Sequence, residues 1–182
     1  MERESHAVHV NNATGVVVVA GVGMGMFLRS ICEKHSVSEI HAYDISQDVL
    51  DLLIHGTDFE SWPGGEKITL HCHDAKDIPS DDVPAKVDYF YADIWPTLGT
   101  FEAIADVRLM QKRVKAAAVG YWGEELDLIS WLIDHEIPVS EWGQVSHAQW
   151  LSWRNSTGLP LVSPGVRWLR AYLPQIANRL VS

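Results

Sequence analysis

Residues 16–25 read VVVVAGVGMG, and apolar residues with helical spacing follow them up to Lys34. A continuous β-branched run of this length is typical of a strand buried on both faces of a sheet. Gly21, Gly23 and Gly25 then allow a tight turn in which the backbone approaches a ligand closely, next to the N–H groups that begin a helix. The segment therefore predicts a strand, a glycine turn and a helix, with a ligand site at the turn.

The spacing of the three glycines separates this turn from two other nucleotide-binding motifs. The fingerprint of nicotinamide-binding proteins places its third glycine one residue later, where Met26 stands. The phosphate-binding loop of nucleoside triphosphatases requires Gly-Lys followed by Ser or Thr, which this segment lacks. Neither a nicotinamide dinucleotide nor a triphosphate is therefore the expected ligand.

Strand and helix patterns alternate from the glycine turn to about residue 135. Strands are predicted at residues 16–20, 39–43, 67–72, 87–92 and 115–120, and helices at 24–34, 46–56, 98–112 and 124–135. This alternation predicts a Rossmann-like doubly wound α/β fold, with a mostly parallel sheet of five to seven strands and helices on both faces. Beyond Ile137, residues 138–142 could be a sixth strand and residues 147–154 a short helix or a strand. A last helix is predicted from Ser163, with a kink at Pro174.

Length and composition are those of one globular domain. The chain has 182 residues, of which 47% are hydrophobic and 21% charged, and two cysteines, too few for a disulfide framework. We expect a single domain over residues 1–182, with a core at 15–135 and a basic, tryptophan-rich extension at 136–182. No histidine, cysteine or carboxylate spacing indicates a metal site. No segment reads as a membrane span or a secretory signal, so a cytoplasmic location is expected.

Charge is unevenly distributed along the chain. The net charge is −10, yet residues 142–182 carry four arginines and no acidic residue, so the rest of the chain carries −14. An acidic body repels phosphate backbones, which argues against a nucleic-acid partner. The basic C-terminal segment could dock on its own acidic body, on an anionic substrate, or on a second copy of the chain, which would make a homo-oligomer through the C-terminal helix. The tryptophans from Trp122 onward are expected to fill a small core rather than to roof an acceptor pocket.

Three acidic residues follow predicted strands and complete a family pattern. Asp44 ends the second strand in HAYDIS, Asp74 follows the third in HCHDAKDI, and Asp93 follows the fourth in YADIWP. Together with the glycine turn, these motifs resemble those of the class I S-adenosylmethionine-dependent methyltransferases over residues 15–135. The chain departs from the pattern at Val19, where the family often has an acidic residue. Only about fourteen residues precede the first strand, too few for the helical substrate lid of many relatives.

The resemblance implies a role for each motif. Asp44 would accept hydrogen bonds from the two ribose hydroxyls of S-adenosylmethionine, and Asp74 would lie near the adenine amino group with Ala75 beside the ring. Asp93 would position the acceptor amine or hydroxyl, or take its proton, and Trp95 would stack on the acceptor. The predicted catalytic residues are Asp93 and Trp95, and the predicted cofactor-binding residues are Gly21, Gly23, Gly25, Asp44, Ile45, Asp74, Ala75 and Asp93.

The resemblance thus predicts a methyltransferase that uses S-adenosylmethionine to methylate a nitrogen or oxygen atom of a small molecule. Tyr121 and Trp122, which follow the fifth strand, are further candidates for contact with the acceptor. Two alternatives stay open. The domain could bind S-adenosylmethionine without transferring its methyl group, as a module or partner subunit. Residues 87–99 also resemble a segment of spermidine synthases, which transfer an aminopropyl group, although the richer glycine motif and N-terminal β-domain of those enzymes are missing here.

Overall fold

The fold is built on a parallel sheet with helices on both faces. The computed structural model describes residues 2–79, 81–98, 100, 102–163 and 171–176. The strands are β1 (Gly15–Ala20), β2 (Val37–Asp44), β3 (Ile68–Cys72), β4 (Tyr89–Ala92) and β5 (Ala118–Tyr121). The α-helices are α1 (Glu2–Asn12), α2 (Met26–Cys32), α3 (Gln47–Gly56), α4 (Ala103–Val114), α5 (Glu124–Asp134) and α6 (His147–Thr157). No helix in the described ranges has the length and apolar character needed to cross a membrane.

The strand order is β3-β2-β1-β4-β5, and every pairing is parallel. This confirms the predicted Rossmann-like α/β fold, and it makes the first and fourth strands neighbours. In a parallel sheet all strands finish at the same edge, so the carboxyl ends of β1, β2 and β4 lie side by side. The register shows this directly, because Ala20 pairs with Tyr43 on one side and with Ala92 on the other.

Alternate residues of β1 supply two hydrophobic cores, one on each face of the sheet. Val17 and Val19 pack with side chains of α2 and α3, and Val18 and Ala20 pack with side chains of α4, α5 and α6. All four residues are at most 1% exposed. Burial on both faces explains why β1 reads as an unbroken apolar run rather than as an alternating pattern.

Two predicted helix boundaries move, each for a local reason. Helix α2 begins at Met26 rather than at residue 24, because Gly25 has a φ of 75° and caps the helix from outside it. Helix α4 begins at Ala103 rather than at residue 98. A turn precedes it, in which the Thr100 hydroxyl donates to the Thr97 carbonyl at 2.9 Å.

The predicted sixth strand at 138–142 is wrong. Residues Val139–Gln144 form a 3₁₀ helix after Pro138, and the Trp142 indole N–H donates to the Ile137 carbonyl at 3.1 Å, which closes the turn. Residues His147–Thr157 form α6, so the helical alternative for 147–154 is confirmed, with a capping box between Ser146 and Gln149. Beyond the five strands, the described residues add one isolated parallel bridge, from Leu161 to Val119.

Three of the C-terminal tryptophans fill a core, as predicted for the tryptophans from Trp122 onward, and Trp168 lies outside the described residues. Trp142, Trp150 and Trp153 are 2–3% exposed and belong to the same core as α4 and α5. Leu173 lies in the helical stretch 171–176 and is also buried in this core. Residues 164–170 and 177–182 lie outside the described ranges. The start of the last helix and its use in a homo-oligomer therefore stay predictions. Pro174 lies within the helical stretch 171–176, and the kink predicted there also stays a prediction.

Helix α1 is the largest departure from expectation. Too few residues were predicted before β1 for a helical cover, yet an 11-residue helix forms there. Its apolar pattern is weak, and polar contacts hold it in place instead. The Lys34 ammonium donates to the carbonyls of Asn11 and Ala13, at 3.1 and 2.7 Å, and also to that of Val10. These bonds satisfy carbonyls at the C-terminal end of the helix.

Candidate functional site

A cleft of about 560 Å³ opens at the carboxyl edge of β1, β2 and β4. It brings together residues from four separate parts of the sequence. Eight of the nine predicted site residues line it, namely Gly21, Gly23, Asp44, Ile45, Asp74, Ala75, Asp93 and Trp95. The ninth, Gly25, is not among the lining residues.

The three glycines of the turn have different structural tasks. Gly21 has a φ of 85°, and a Cβ atom there would lie 1.9 Å from the carbonyl oxygen of Asp93, so glycine lets the ends of β1 and β4 approach. A Cβ at Gly23 would meet nothing within 4 Å, which leaves open space beside the turn. A Cβ at Gly25 would meet Leu53 at 2.4 Å and Trp62 at 2.8 Å. Gly25 therefore serves packing against α3, away from the cleft.

Asp44 is held in a fixed orientation at the end of β2. Its Oδ2 atom accepts the N–H of Val22 at 3.0 Å, and its Oδ1 atom accepts the N–H of Ser46 at 2.9 Å. The carboxylate thus links the glycine turn to the start of α3. Each oxygen keeps a second lone pair, so Asp44 can still accept hydrogen bonds from a pair of hydroxyl groups in the cleft.

Asp74 and Ala75 shape the opposite wall of the cleft. Asp74 caps a 3₁₀ helix over Ala75–Asp77 by accepting the N–H of Lys76 at 2.8 Å. Ala75 is 5% exposed and packs in the core, yet it also lines the cleft. The pair therefore presents a small apolar surface beside a carboxylate.

Asp93 follows β4 and faces both the cleft and helix α1. Its N–H donates to the Ala20 carbonyl at 2.7 Å, which fixes the backbone beside the glycine turn. One carboxylate oxygen lies 3.9 Å from His6 Nε2 of α1, and 28% of the side chain is exposed. Nothing in the sequence pattern indicates that a histidine of α1 lies next to this carboxylate.

Trp95 forms a rigid wall of the cleft. It is 8% exposed, and its indole N–H donates to Asp106 at 3.0 Å. Asp106 also forms an ion pair with Lys76 at 2.7 Å. These contacts fix the indole ring and leave one part of it facing the cleft, while the rest packs in the core.

Tyr121 and Trp122, the further candidates for acceptor contact, are not among the residues that line the cleft. Tyr121 is fully buried, and its hydroxyl donates to Asp127 at 2.6 Å. Burial raises the pKa of Tyr121 well above its usual value, and the neighbouring Asp127 adds to the effect. Trp122 packs against the core that contains Val17 and Val19.

Two histidine–tyrosine hydrogen bonds attach α1 to β4. His6 Nδ1 lies 3.0 Å from the Tyr91 hydroxyl, and His9 Nδ1 lies 3.0 Å from the Tyr89 hydroxyl. A Cβ at Gly120 would lie 2.3 Å from His9, so a glycine on β5 provides the space for this pair. Burial lowers the pKa of His9 to about 3, with a smaller contribution from His6. The only sequence signal for these contacts is residue spacing: the two histidines are three residues apart on the helix, and the two tyrosines are two residues apart on the strand.

Two further acidic residues near this edge were not predicted as site residues. Glu124 and Glu125 begin α5 and are 6% and 3% exposed. Burial raises the pKa of Glu125 to about 7 and that of Glu124 well above its usual value. In the sequence they read as ordinary first-turn acids of a helix, which face solvent in most proteins.

Comparison with known proteins finds no match by sequence, because no protein-family model and no curated protein matches the chain. Solved structures do match in fold. The methyltransferase domain of bacterial CtHen1-CN is 16% identical, with a TM-score of 0.53 over 66% of this chain and 64% of that one. The CcbJ methyltransferase from Streptomyces caelestis is 20% identical, with a TM-score of 0.45 over 62% of this chain. An rRNA methylase from Streptococcus thermophilus is 11% identical, with a TM-score of 0.46 over the same share.

The chain spans less than two thirds of these relatives, namely 64%, 47% and 61% of their lengths. All three are methyltransferases or methylases by name, and a resemblance to spermidine synthases is not shown. The match to the CtHen1-CN domain, with a TM-score of 0.53, supports the α/β fold of the chain. The chain therefore has the Rossmann-like α/β fold of the class I methyltransferases.

Proposed function

We propose that the protein binds S-adenosylmethionine in the cleft and transfers its methyl group to a nitrogen or oxygen atom of a small molecule. One observation carries the proposal. Four motifs from residues 21–25, 44–45, 74–75 and 93–95 resemble those of one enzyme family, and residues of all four line a single cleft of about 560 Å³. That volume lies within the range of small-molecule sites.

The side chains present suit the parts of this cofactor. The oriented carboxylate of Asp44 offers an acceptor to each of two ribose hydroxyls. Ile45 and Ala75 offer apolar contacts to the faces of a purine ring, and Asp74 offers an acceptor for its amino group. The open space at Gly23 leaves the turn accessible to the rest of the molecule.

Methyl transfer needs alignment rather than a covalent nucleophile on the protein. S-adenosylmethionine, when bound, supplies an electrophilic methyl group on a positively charged sulfur. Asp93 would orient the acceptor and receive the proton that its nitrogen or oxygen loses. Trp95, fixed by Asp106, would form the wall that positions the acceptor and excludes water from the cleft. We therefore propose for Asp93 and Trp95 the catalytic roles that the sequence predicts.

The acidic character of the chain favours a small acceptor over a nucleic acid. Net charge is −10, and the cleft itself contains the carboxylates of Asp44, Asp74 and Asp93. A phosphate backbone would be repelled by this surface, whereas a neutral or cationic small molecule would not. The alternative of a binding module without transfer activity is an outcome of the experiments below.

Calorimetric titration tests the cofactor first. We expect S-adenosylhomocysteine to bind and NADH not to bind, because the turn lacks the third dinucleotide glycine. Binding of NADH without any response to S-adenosylhomocysteine would overturn the proposal. Transfer of a labelled methyl group to fractions of small metabolites then separates an enzyme from a binding module, which would bind the cofactor and label nothing.

A further inference from the structure

The first two residues of α5, Glu124 and Glu125, are adjacent buried acids, which we call the buried acid pair. They begin the helix that follows β5. Their exposed fractions are 6% and 3%. Glu124 Oε2 and Glu125 Oε1 are buried and have no hydrogen-bond partner. Buried polar atoms in folded proteins are nearly always hydrogen-bonded, so two orphaned oxygens on adjacent residues call for an explanation.

In the part of the chain that the structure describes, acids rather than bases surround the buried acid pair. Neither glutamate forms an ion pair with a lysine, arginine or histidine in the described part of the chain. The charged groups that act on the pair are the two glutamates themselves and Asp127, and all of these are acids. These surroundings therefore disfavour two negative charges and favour the binding of a positive charge.

Other acids beside the sheet have hydrogen-bond or ion-pair partners. Asp44 accepts two backbone N–H groups, and Asp127 accepts the Tyr121 hydroxyl at 2.6 Å. Asp88 accepts the N–H of Val16 at 3.0 Å and pairs with Lys86 at 2.6 Å. Glu124 Oε2 and Glu125 Oε1 differ from these carboxylates because they are buried and have no hydrogen-bond partner, although each glutamate also forms a hydrogen bond with a backbone N–H.

The start of α5 lies beside the end of β4, because Ala92 pairs with Tyr121 and the Trp122 N–H donates to the Ala92 carbonyl at 2.9 Å. Burial raises the pKa of Tyr91 well above its usual value, and Asp93, Glu125 and Glu124 all add to the effect, so all three carboxyl groups act on this one hydroxyl. The same hydroxyl bonds to His6, which reaches Asp93 at 3.9 Å. The buried acid pair therefore lies at the same edge of the sheet as Asp93 and the proposed methyl-transfer site.

We propose that the buried acid pair binds a cationic nitrogen of the acceptor, which makes the acceptor a small molecule with an ammonium or guanidinium group. This inference rests on the proposed function and names its substrate class. A cation with several N–H groups would neutralise the pair and fill the empty acceptor positions of Glu124 Oε2 and Glu125 Oε1. Neither carboxyl group lines the open cleft, so binding of the cation requires a local movement that exposes them.

Fragment titration at pH 7.5 tests the inference on the whole chain saturated with S-adenosylhomocysteine. The probes are n-butylammonium and benzylammonium chloride, each compared with its alcohol and with sodium chloride at equal ionic strength. We expect the ammonium compounds alone to bind. Their binding enthalpy should differ between buffers of different ionisation enthalpy, because the pair passes a carboxyl proton to the buffer when the cation binds.

Variants locate the binding. Glu124→Gln and Glu125→Gln keep the side-chain shape and should each weaken ammonium binding at least about tenfold, as expected for loss of a buried charged partner. Glu141→Gln removes an exposed charge and should change nothing. If the glutamine variants do not fold, the comparison of ammonium with alcohol on the unaltered chain still decides the matter.

Two results would overturn the inference. One is an equal response to ammonium and alcohol, and the other is ammonium binding that survives in both glutamine variants. Either result, obtained while S-adenosylhomocysteine still binds, would exclude a cationic acceptor and would leave the proposed function intact. If S-adenosylhomocysteine itself does not bind, the proposed function fails instead.

Discussion

Replacing Glu125 by glutamine should stabilise the protein at neutral pH and leave its stability in acid nearly unchanged. In the folded protein the pKa of Glu125 rises from 4.5 to about 7, mainly because of burial. A difference of that size corresponds to roughly 3 kcal/mol. Glutamine has nearly the same shape and cannot ionise, so the substitution removes this term.

The sign of the effect follows from proton binding. Between pH 4.5 and 7 the folded state holds a proton on Glu125 that the unfolded state has lost. The free energy of unfolding therefore falls as the pH rises through this range, and the full penalty applies above about pH 7. Relative to the parent, Glu125→Gln should gain nothing near pH 4 and roughly 3 kcal/mol at pH 8. Glu124 is also relieved of a neighbouring charge, which adds to the gain at pH 8.

Urea unfolding followed by tryptophan fluorescence at pH 4, 6 and 8 measures this difference. Other titrating groups, such as His9, are present in both proteins and cancel when the two curves are subtracted. Glu141→Gln serves as the matched exposed control and should show no difference that depends on pH. A stability difference between Glu125→Gln and parent that stays constant from pH 4 to pH 8 would show that Glu125 ionises normally and would remove the electrostatic basis of the buried acid pair.

Four further predictions address the cleft and α1. Asp44→Ala should weaken S-adenosylhomocysteine binding by roughly 2–4 kcal/mol in calorimetry, because it removes a charged acceptor for two hydroxyls; unchanged affinity would exclude Asp44 as the ribose ligand. Asp93→Asn should keep that affinity within about threefold and lower methyl transfer by roughly 10²–10⁴, whereas lost affinity with intact turnover would place Asp93 in the cofactor site. Gly21→Ala should lower the free energy of unfolding by roughly 1–3 kcal/mol, since its Cβ would meet the Asp93 carbonyl, and Gly23→Ala should cost less; equal losses would contradict the close-approach argument. His9, with its pKa lowered to about 3, should make stability rise with pH between 3 and 6.5, and His9→Gln should flatten that rise in urea titrations; an unchanged slope would show that His9 titrates normally.

The part of the site that the sequence predicted depends on local patterns and one rule of topology. Asp44, Asp74 and Asp93 each follow a run of residues that reads as a strand, and parallel strands finish at one edge of a sheet. That rule is enough to bring three distant carboxylates into one cleft with Gly21 and Gly23. No long-range contact has to be known in advance.

The part that the sequence did not predict depends on contacts between distant residues. Helix α1 has a weak apolar pattern, and its position comes from bonds that join His6 to Tyr91 and His9 to Tyr89. In the sequence, Glu124 reads as an acid in the first turn of a solvent-exposed helix. Only the packing of the whole fold buries it. Likewise, the pattern at residues 138–142 was mistaken for a strand, because the turn that replaces it depends on the Trp142 indole.

The proposed roles of Asp93 and the buried acid pair together restrict the acceptor further. An ammonium group held by Glu124 and Glu125 has no lone pair, so it cannot itself attack the methyl group. The atom that is methylated must then be a different one, placed at the cleft beside Asp93, which has a partly exposed carboxylate to receive its proton. The acceptor therefore needs at least two functional groups, one cationic and one nucleophilic. This requirement also explains why the fold keeps uncompensated acids beside the transfer site. The cation that completes them orients the second group toward the methyl donor, so the binding energy of one end of the acceptor positions the other.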